Sequence, residues 1–200
     1  MPDSAARKAS VKRETKETRI DLELDLDGTG KYSISTGCGF FDHMLELFTL
    51  HGKFDLNLMC EGDKHTGFHH IVEDCGICLG RAFNEALSDR RGIARYGSVI
   101  LPMDEALILA AADICGRSFV GFDISLPGER AGDFDSELLL EFLLSFSRSS
   151  GITLHMRKLS GENTHHIIEC AFKALARTLR AAVAEDTGFK GDIPSTKGTI

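Results

Sequence analysis

Apolar residues recur at three- and four-residue steps in two long stretches of the chain. In the first they are Ile71, Cys75, Cys78, Leu79, Ala82, Phe83 and Ala86; in the second, Ile167, Ile168, Ala171, Phe172, Leu175, Leu179 and Val183. Each pattern predicts an amphipathic helix. Two further helical runs, GFFDHMLELFTLHG (39–52) and FDSELLLEFLLSFSRSSG (134–151), each end near a glycine that can cap them. KFDLNLMCEGD (53–63) and GITLHMRKLSGEN (151–163) instead alternate apolar and polar positions, which predicts strands. TRIDLELDLDGTGKYSIS and DEALILAAADICGRSFVGFDIS read as hairpins, one turning at a Gly-containing loop and one at CGRS.

These elements repeat. Each half reads strand, strand, helix, strand, helix, an α+β layer with its helices on one face of a sheet. Setting His69 on His165, an offset of 96, brings His70 onto His166, Ile71 onto Ile167 and Glu73 onto Glu169. The expected organisation is a polar arm (1–12), a first half-domain (13–90), a second (91–185) and a C-terminal tail (186–200). Ser88 to Met103 serves as the link, and the two helix layers pack together into one compact unit. The period is too long, and the copies too few, for a solenoid.

Composition narrows the function. The 200 residues are 42% hydrophobic and 26% charged, with four prolines and no tryptophan, an ordinary globular balance. A net charge of −7 disfavours nucleic acid or an anionic membrane as the main partner. It leaves room for a small anion held by a local cluster of Arg and Lys. No apolar run reaches membrane-span length, and the polar N-terminus has no secretory h-region, so a cytoplasmic protein is expected. The six cysteines are then reduced thiols, and Cys75 and Cys78, a lone CxxC, are buried helix thiols.

The candidate chemistry lies in HHIVED, which starts at His69, and HHIIEC, which starts at His165. Residues four apart share a helix face, so His69 with Glu73, and His165 with Glu169, can each chelate an ion. The second histidine of each pair is rotated by about 100° and serves a different ion. Two copies therefore predict two ions, each chelated by one helix and capped by the odd histidine, His70 or His166, of the other. His43 and Glu141 stand at matching places on the preceding helices and add one donor to each set. Imidazole and carboxylate without thiolate suit Mn, Fe, Co or Zn. One HHxxE is weak evidence, because helix faces often carry solvated His and Glu; two at equivalent places are much stronger.

GFFDHML, LHGKFDLNLMCEGD, HHIVEDCGICLGRAF, CGRSF, TLHMRKLSGENTHHIIECAFKALARTLR and IPSTKGTI together resemble the imidazoleglycerol-phosphate dehydratases, from about Arg13 to Ile200. The resemblance implies a duplicated α+β fold of the ribosomal protein S5 domain 2-like kind. It also implies an assembly of 24 identical subunits, with two Mn2+ ions per site at subunit interfaces. The implied reaction is loss of water from imidazoleglycerol phosphate to give imidazoleacetol phosphate, in histidine biosynthesis. By the same resemblance one ion is held by His43, His70, His165 and Glu169, and the other by His69, Glu73, His166 and residue 141. Family members carry His there, whereas this chain has Glu141, and His155 in TLHM is the rival ligand.

The departing C–H proton is not beside a carbonyl, so the imidazole ring is the only electron sink. A metal on a ring nitrogen favours the imidazolate, which can expel the hydroxyl; a base takes the proton and an acid assists the hydroxide. The resemblance places Glu17, His51 and Glu169 in catalysis, with Glu17 as leading acid/base. It places Glu17, His51, Arg95, Arg117, Lys173, Ser195 and Lys197 against the substrate. Arg forks suit phosphate, Lys adds a point charge, and the Gly-flanked tail is expected to close as a lid. Two other readings stand beside this one. A different dinuclear metalloenzyme on the same frame would not need the phosphate-reading tail. A non-catalytic metal-binding assembly would not need Arg95, Arg117 and Lys197 near the metals.

Overall fold

In the computed structural model, which describes residues 6–188 and 191–200, the element order repeats once along the chain. The first half runs β1 (Lys8–Glu14), β2 (Thr18–Asp25), β3 (Tyr32–Ser35), α1 (Gly39–Gly52), β4 (Asp55–Gly62) and α2 (His69–Leu87). The second runs β5 (Tyr96–Met103), β6 (Ala106–Asp113), β7 (Phe119–Asp123), a small hairpin of β8 (Arg130–Ala131) and β9 (Phe134–Asp135), α3 (Leu138–Ser150), β10 (Thr153–Ser160) and α4 (Thr164–Val183). Each half forms a four-stranded sheet, ordered β1-β2-β4-β3 and β5-β6-β10-β7. The α+β duplication is therefore present, and four helices fall where periodicity puts them.

Strand pairing differs from the expectation. β2 and β3 do not form a hairpin, because β4 lies between them, antiparallel to β2 and parallel to β3. A parallel neighbour needs a crossover, and α1 supplies it. The loop after β2 is instead tied to β4: Asp55 accepts the backbone N–H groups of Thr29, Gly30 and Lys31 at 2.7, 3.0 and 2.9 Å. β6 and β7 likewise flank β10 rather than each other. The true hairpins are β1–β2 and β5–β6. Both use segments assigned otherwise from sequence, the arm to residue 12 and the Ser88–Met103 link. β1 is an edge strand whose one buried residue is Val11, so its charged outer face hides the strand signal. Of the expected arm, residues 1–5 lie outside the described residues.

The helices exchange partners between halves. α2 lies on the first sheet and α4 on the second, but α1 packs on α4 and α3 packs on α2. One core results, with Phe41 edge-on to Phe142 and Phe172 (centroids 5.6 and 6.3 Å) and Phe83 edge-on to Phe146 (5.3 Å). α2 and α3 approach closely because α2 presents Gly76 and Gly80. A Cβ at Gly80 would lie 2.5 Å from the Phe146 carbonyl oxygen. Gly151 caps α3 in the left-handed conformation as expected, whereas after α1 it is Lys53 that takes this role, at φ 56. All six cysteines are buried, and none forms a disulfide. Among the described residues, no helix is long and apolar enough to cross a membrane.

Candidate active site

The groove between α1 and α4 gathers five of the expected site residues. The four-residue spacing of His165, Glu169 and Lys173 sets them in one stripe on α4. Glu169 Oε2 lies 3.2 Å from His165 Nε2 and 3.9 Å from His43 Nε2 on α1, while Lys173 Nζ is 2.5 Å from Oε1. The Glu169 side chain is only 10% exposed. Burial pushes its carboxyl up, but the Lys173 ammonium and His165 more than offset this, and its pKa falls below the usual glutamate value. His51, in the last turn of α1, is pushed down by burial and by the charges of Lys173 and Arg177, which favours neutral imidazole.

Local structure aims these side chains. Asn163 caps α4, accepting the N–H groups of His165 and His166 at 2.9 and 3.3 Å. α1 has no side-chain cap of its own. Asp133, in the β8–β9 turn of the other half, accepts the N–H groups of Gly39 and Phe40 at 2.7 and 2.9 Å. Phe40 then packs edge-on against the His165 ring, centroids 5.0 Å apart.

The α2–α3 groove repeats the frame with other occupants. His69 and Glu73 face each other at 4.0 Å on α2. The helix-ending residues Lys53 and Gly151 are 98 positions apart, as are His43 and Glu141, so Glu141 is the structural counterpart of His43. His155 lies on β10 between the buried Leu154 and Met156, on the outer face of the sheet beside Phe119, away from the helices.

Adjacent histidines diverge as helix geometry requires, with rings at 90° in His69–His70 and 86° in His165–His166. Each odd histidine faces a carboxylate on a hairpin turn, and His70 also meets Asp63 just past β4. His70 lies 3.1 Å from Asp63 and 3.9 Å from Glu17; His166 lies 2.8 Å from Glu105 and 3.8 Å from Asp104. Asp63 raises His70 and Glu105 raises His166 above the ordinary imidazole value, and Glu105 itself falls to about 2 beside His166. The two hairpins share one register, Lys8 opposite Asp25 and Tyr96 opposite Asp113, which makes Glu105 the counterpart of Glu17. Buried Asp74 on α2 accepts from Arg13 at 2.8 Å and from the Thr18 hydroxyl, pinning the turn that carries Glu17.

His70 does not join His43, His165 and Glu169 within the chain. Among the described residues, no group of three or more His, Cys, Asp or Glu side chains is arranged to hold a metal ion. Of the residues expected at phosphate, Arg117 is exposed beside the turn at Gly116, and Ser195 and Lys197 lie in the tail. Arg95 is engaged by Asp113 and by the Pro194 carbonyl. Asp63, Glu105, Asp113 and Asp133 were not singled out from sequence. Glu105 alone had a signal, as the partner of Glu17 in a duplicated chain, and it was hidden while β1 went unrecognised.

A family profile described as imidazoleglycerol-phosphate dehydratase matches residues 36–179. Imidazoleglycerol-phosphate dehydratase of Xanthobacter autotrophicus is 55% identical over 194 residues, covering 97% of this chain and 98% of that protein. The Desulforamulus reducens enzyme of the same name is 53% identical with the same coverage. The crystal structure of the Staphylococcus aureus dehydratase superposes with a TM-score of 0.82 at 36% identity, covering 90% of this chain and 99% of that one. That of the Pyrococcus furiosus protein in complex with (S)-C348 gives 0.82 and 36%, covering 95% and 100%.

Proposed function

The chain belongs to the imidazoleglycerol-phosphate dehydratase family, and from that premise we propose that its two HHxxE helices share a pair of Mn2+ ions between neighbouring subunits. It is a hydro-lyase that removes water from imidazoleglycerol phosphate to give imidazoleacetol phosphate, in histidine biosynthesis. The observation that carries the site is the convergence of His43, His165 and Glu169 in one groove, with Lys173 and His51 beside them.

The donors fit such an ion. Glu169 is kept anionic although nearly buried, and neutral imidazole with carboxylate suits Mn2+. His43, His165 and Glu169 of one subunit, with His70 of another, would hold one ion; His69, Glu73 and Glu141, with His166 of a neighbour, would hold the second. The divided arrangement fits an assembly, and 24 subunits is the size proposed. The second sheet turns Tyr96, Ile100, Phe119 and Leu159 to solvent, an apolar face of the kind that subunit contacts cover. A cytoplasmic location accords with this biosynthetic role.

When bound, the ions supply Lewis acidity to the substrate imidazole. The protein groups do the rest. Glu17, on the turn pinned by Asp74, moves the proton as acid/base. His51, neutral by burial and flanking cations, can accept a hydrogen bond from the substrate. Lys173 holds Glu169 ionised and adds a positive charge, and Arg117, Ser195 and Lys197 receive the phosphate. Protein loaded with Mn2+ and mixed with imidazoleglycerol phosphate should form the enolisable ketone, read by its alkaline absorbance. No product at full metal occupancy would sink the reading. Chelation should shrink the assembly on a sizing column, and an unchanged size would remove the metals from the interfaces.

A further inference from the structure

The C-terminal tail returns to the segment that joins the two halves. Gly92 N–H donates to the Asp192 carbonyl at 2.9 Å, and Arg95 Nη1 donates to the Pro194 carbonyl at 2.7 Å. Pro194 is buried at this contact. Local bonds close the turn that follows: Ser195 N–H donates to the Ile193 carbonyl at 2.7 Å, and Gly198 N–H to the Ser195 carbonyl at 3.1 Å. The hold on Pro194 therefore sets where Ser195 and Lys197 stand.

Arg95 is aimed from two directions. Its backbone is left-handed at φ 71, a conformation that side-chain-bearing residues rarely adopt. Two bonds clamp it there, from Arg95 N–H to the Ala182 carbonyl at 2.9 Å and from Ile114 N–H to the Arg95 carbonyl at 3.0 Å. The guanidinium donates to Asp113 through Nε at 2.8 Å and Nη2 at 3.3 Å, and lies 4.8 Å over the Tyr96 ring. With Nε and Nη2 on the carboxylate, the planar fork directs Nη1 at the tail. The first half carries a similar grip 88 positions earlier: Arg7 donates to Asp27 through Nε and Nη2, and through Nη1 to the Val183 carbonyl at the end of α4. Two arginines at matching places thus each bind a carboxylate and a carbonyl of the C-terminal segment.

We infer that Asp113 is a positioning residue for the dehydration: it orients the Arg95 fork so that Nη1 fixes the Pro194 carbonyl, and with it the register in which Ser195 and Lys197 meet the substrate phosphate. The inference rests on the substrate role given to the tail above.

The test compares Asp113→Asn and Asp113→Ala with Asp123→Asn, which removes the exposed partner of Arg157 on a strand of the same sheet. All are studied as full-length, Mn2+-loaded protein. Timed carboxypeptidase digestion read by mass spectrometry reports the tail directly, without reference to activity. In both Asp113 variants, loss of residues from Ile200 back to Lys197 should be about tenfold faster, the worth of one charge-assisted hydrogen bond. KM for imidazoleglycerol phosphate should rise about tenfold while kcat changes less, and Asp123→Asn should match the wild type on both readouts. If Asp113→Ala does not fold, Asp113→Asn carries the test, since it keeps the side-chain volume and one acceptor. Arg95→Lys, which keeps the charge without the fork, should release the tail in the same way. Digestion at the wild-type rate in folded Asp113→Asn would overturn the inference, whatever KM does. Faster digestion with unchanged KM would overturn it differently, by removing Ser195 and Lys197 from the substrate site and with them the role given to the tail.

Discussion

The grooves α1–α4 and α2–α3 are two editions of one frame, and they have diverged. Both present a His–Glu pair one turn apart and a donor from the facing helix, His43 in one and Glu141 in the other. Beyond that point they differ. Lys173 has Ile77 as its counterpart at an offset of 96, and His51 has Ser149 at 98. Where the α2–α3 groove has Gly76 and Gly80 beneath the α3 backbone, the α1–α4 groove has Phe172 and Ala176. One copy has specialised in close packing. The other has side chains at those two positions and sets the ionisable His51 and Lys173 beside its His–Glu pair. Duplication supplied two equivalent scaffolds, and only one needed to retain the tight helix contact.

Breaking the chemical groove should have the largest effect. Lys173→Met leaves Glu169 nearly buried without its cation and should lower kcat/KM by about 100-fold or more, whereas Ile77→Met should stay within about twofold in steady-state assays. Equal losses would mean that the grooves had not diverged in function. Breaking the packing groove comes next. Gly80→Ala forces a methyl against the Phe146 carbonyl and should cost about 2 kcal/mol in urea unfolding, while Ala176→Gly costs about 1 kcal/mol, the helix-propensity difference alone.

Glu141 tests the equivalence of the frames. Glu141→Ala should weaken Mn2+ binding at one of two sites about tenfold in calorimetry, and Glu141→His, which copies His43, should restore it. Unchanged binding at both sites in Glu141→Ala would remove residue 141 from the ligand set. The smallest effect concerns the cap that crosses between halves. Asp133→Ala should cost about 1 kcal/mol at neutral pH. Burial pushes the Asp133 carboxyl up, but the N–H groups of Phe40 and Gly39 bring it net below the ordinary aspartate value. Its stabilisation is therefore complete above the unfolded pKa and is lost as pH falls through the lower, folded one. The gap between variant and wild type should close in acid, and a gap that persists at low pH would show a packing effect instead.

Periodicity made the helices legible, since α1 and α2 begin and end within a residue or two of the apolar runs that forecast them. The divergence of neighbouring histidines was also legible, because it follows from 3.6 residues per turn. Strand pairing was not. TRIDLELD followed closely by KYSIS looks like a hairpin, and nothing local says that a strand thirty residues on will insert between them. β1 was obscured because an edge strand needs only Val11 inside. Asp113 and Asp133 were invisible for a different reason: a carboxylate that grips an arginine or caps a distant helix has no spacing signature.

The exchange of helices between the halves has a consequence for synthesis. α1 ends at Gly52 and its partner α4 at Val183. At ribosomal speeds of about 5–20 residues per second, the interval is on the order of 10 s. Throughout it Phe41 lacks its final neighbours, the rings of Phe134, Phe142 and Phe172 in the second half. The N-terminal half is thus not a foldable first instalment but a dependent that completes only when the last helix leaves the ribosome. Chaperone demand should be greatest in that window, and chains stalled before residue 183 should be degraded rather than stored.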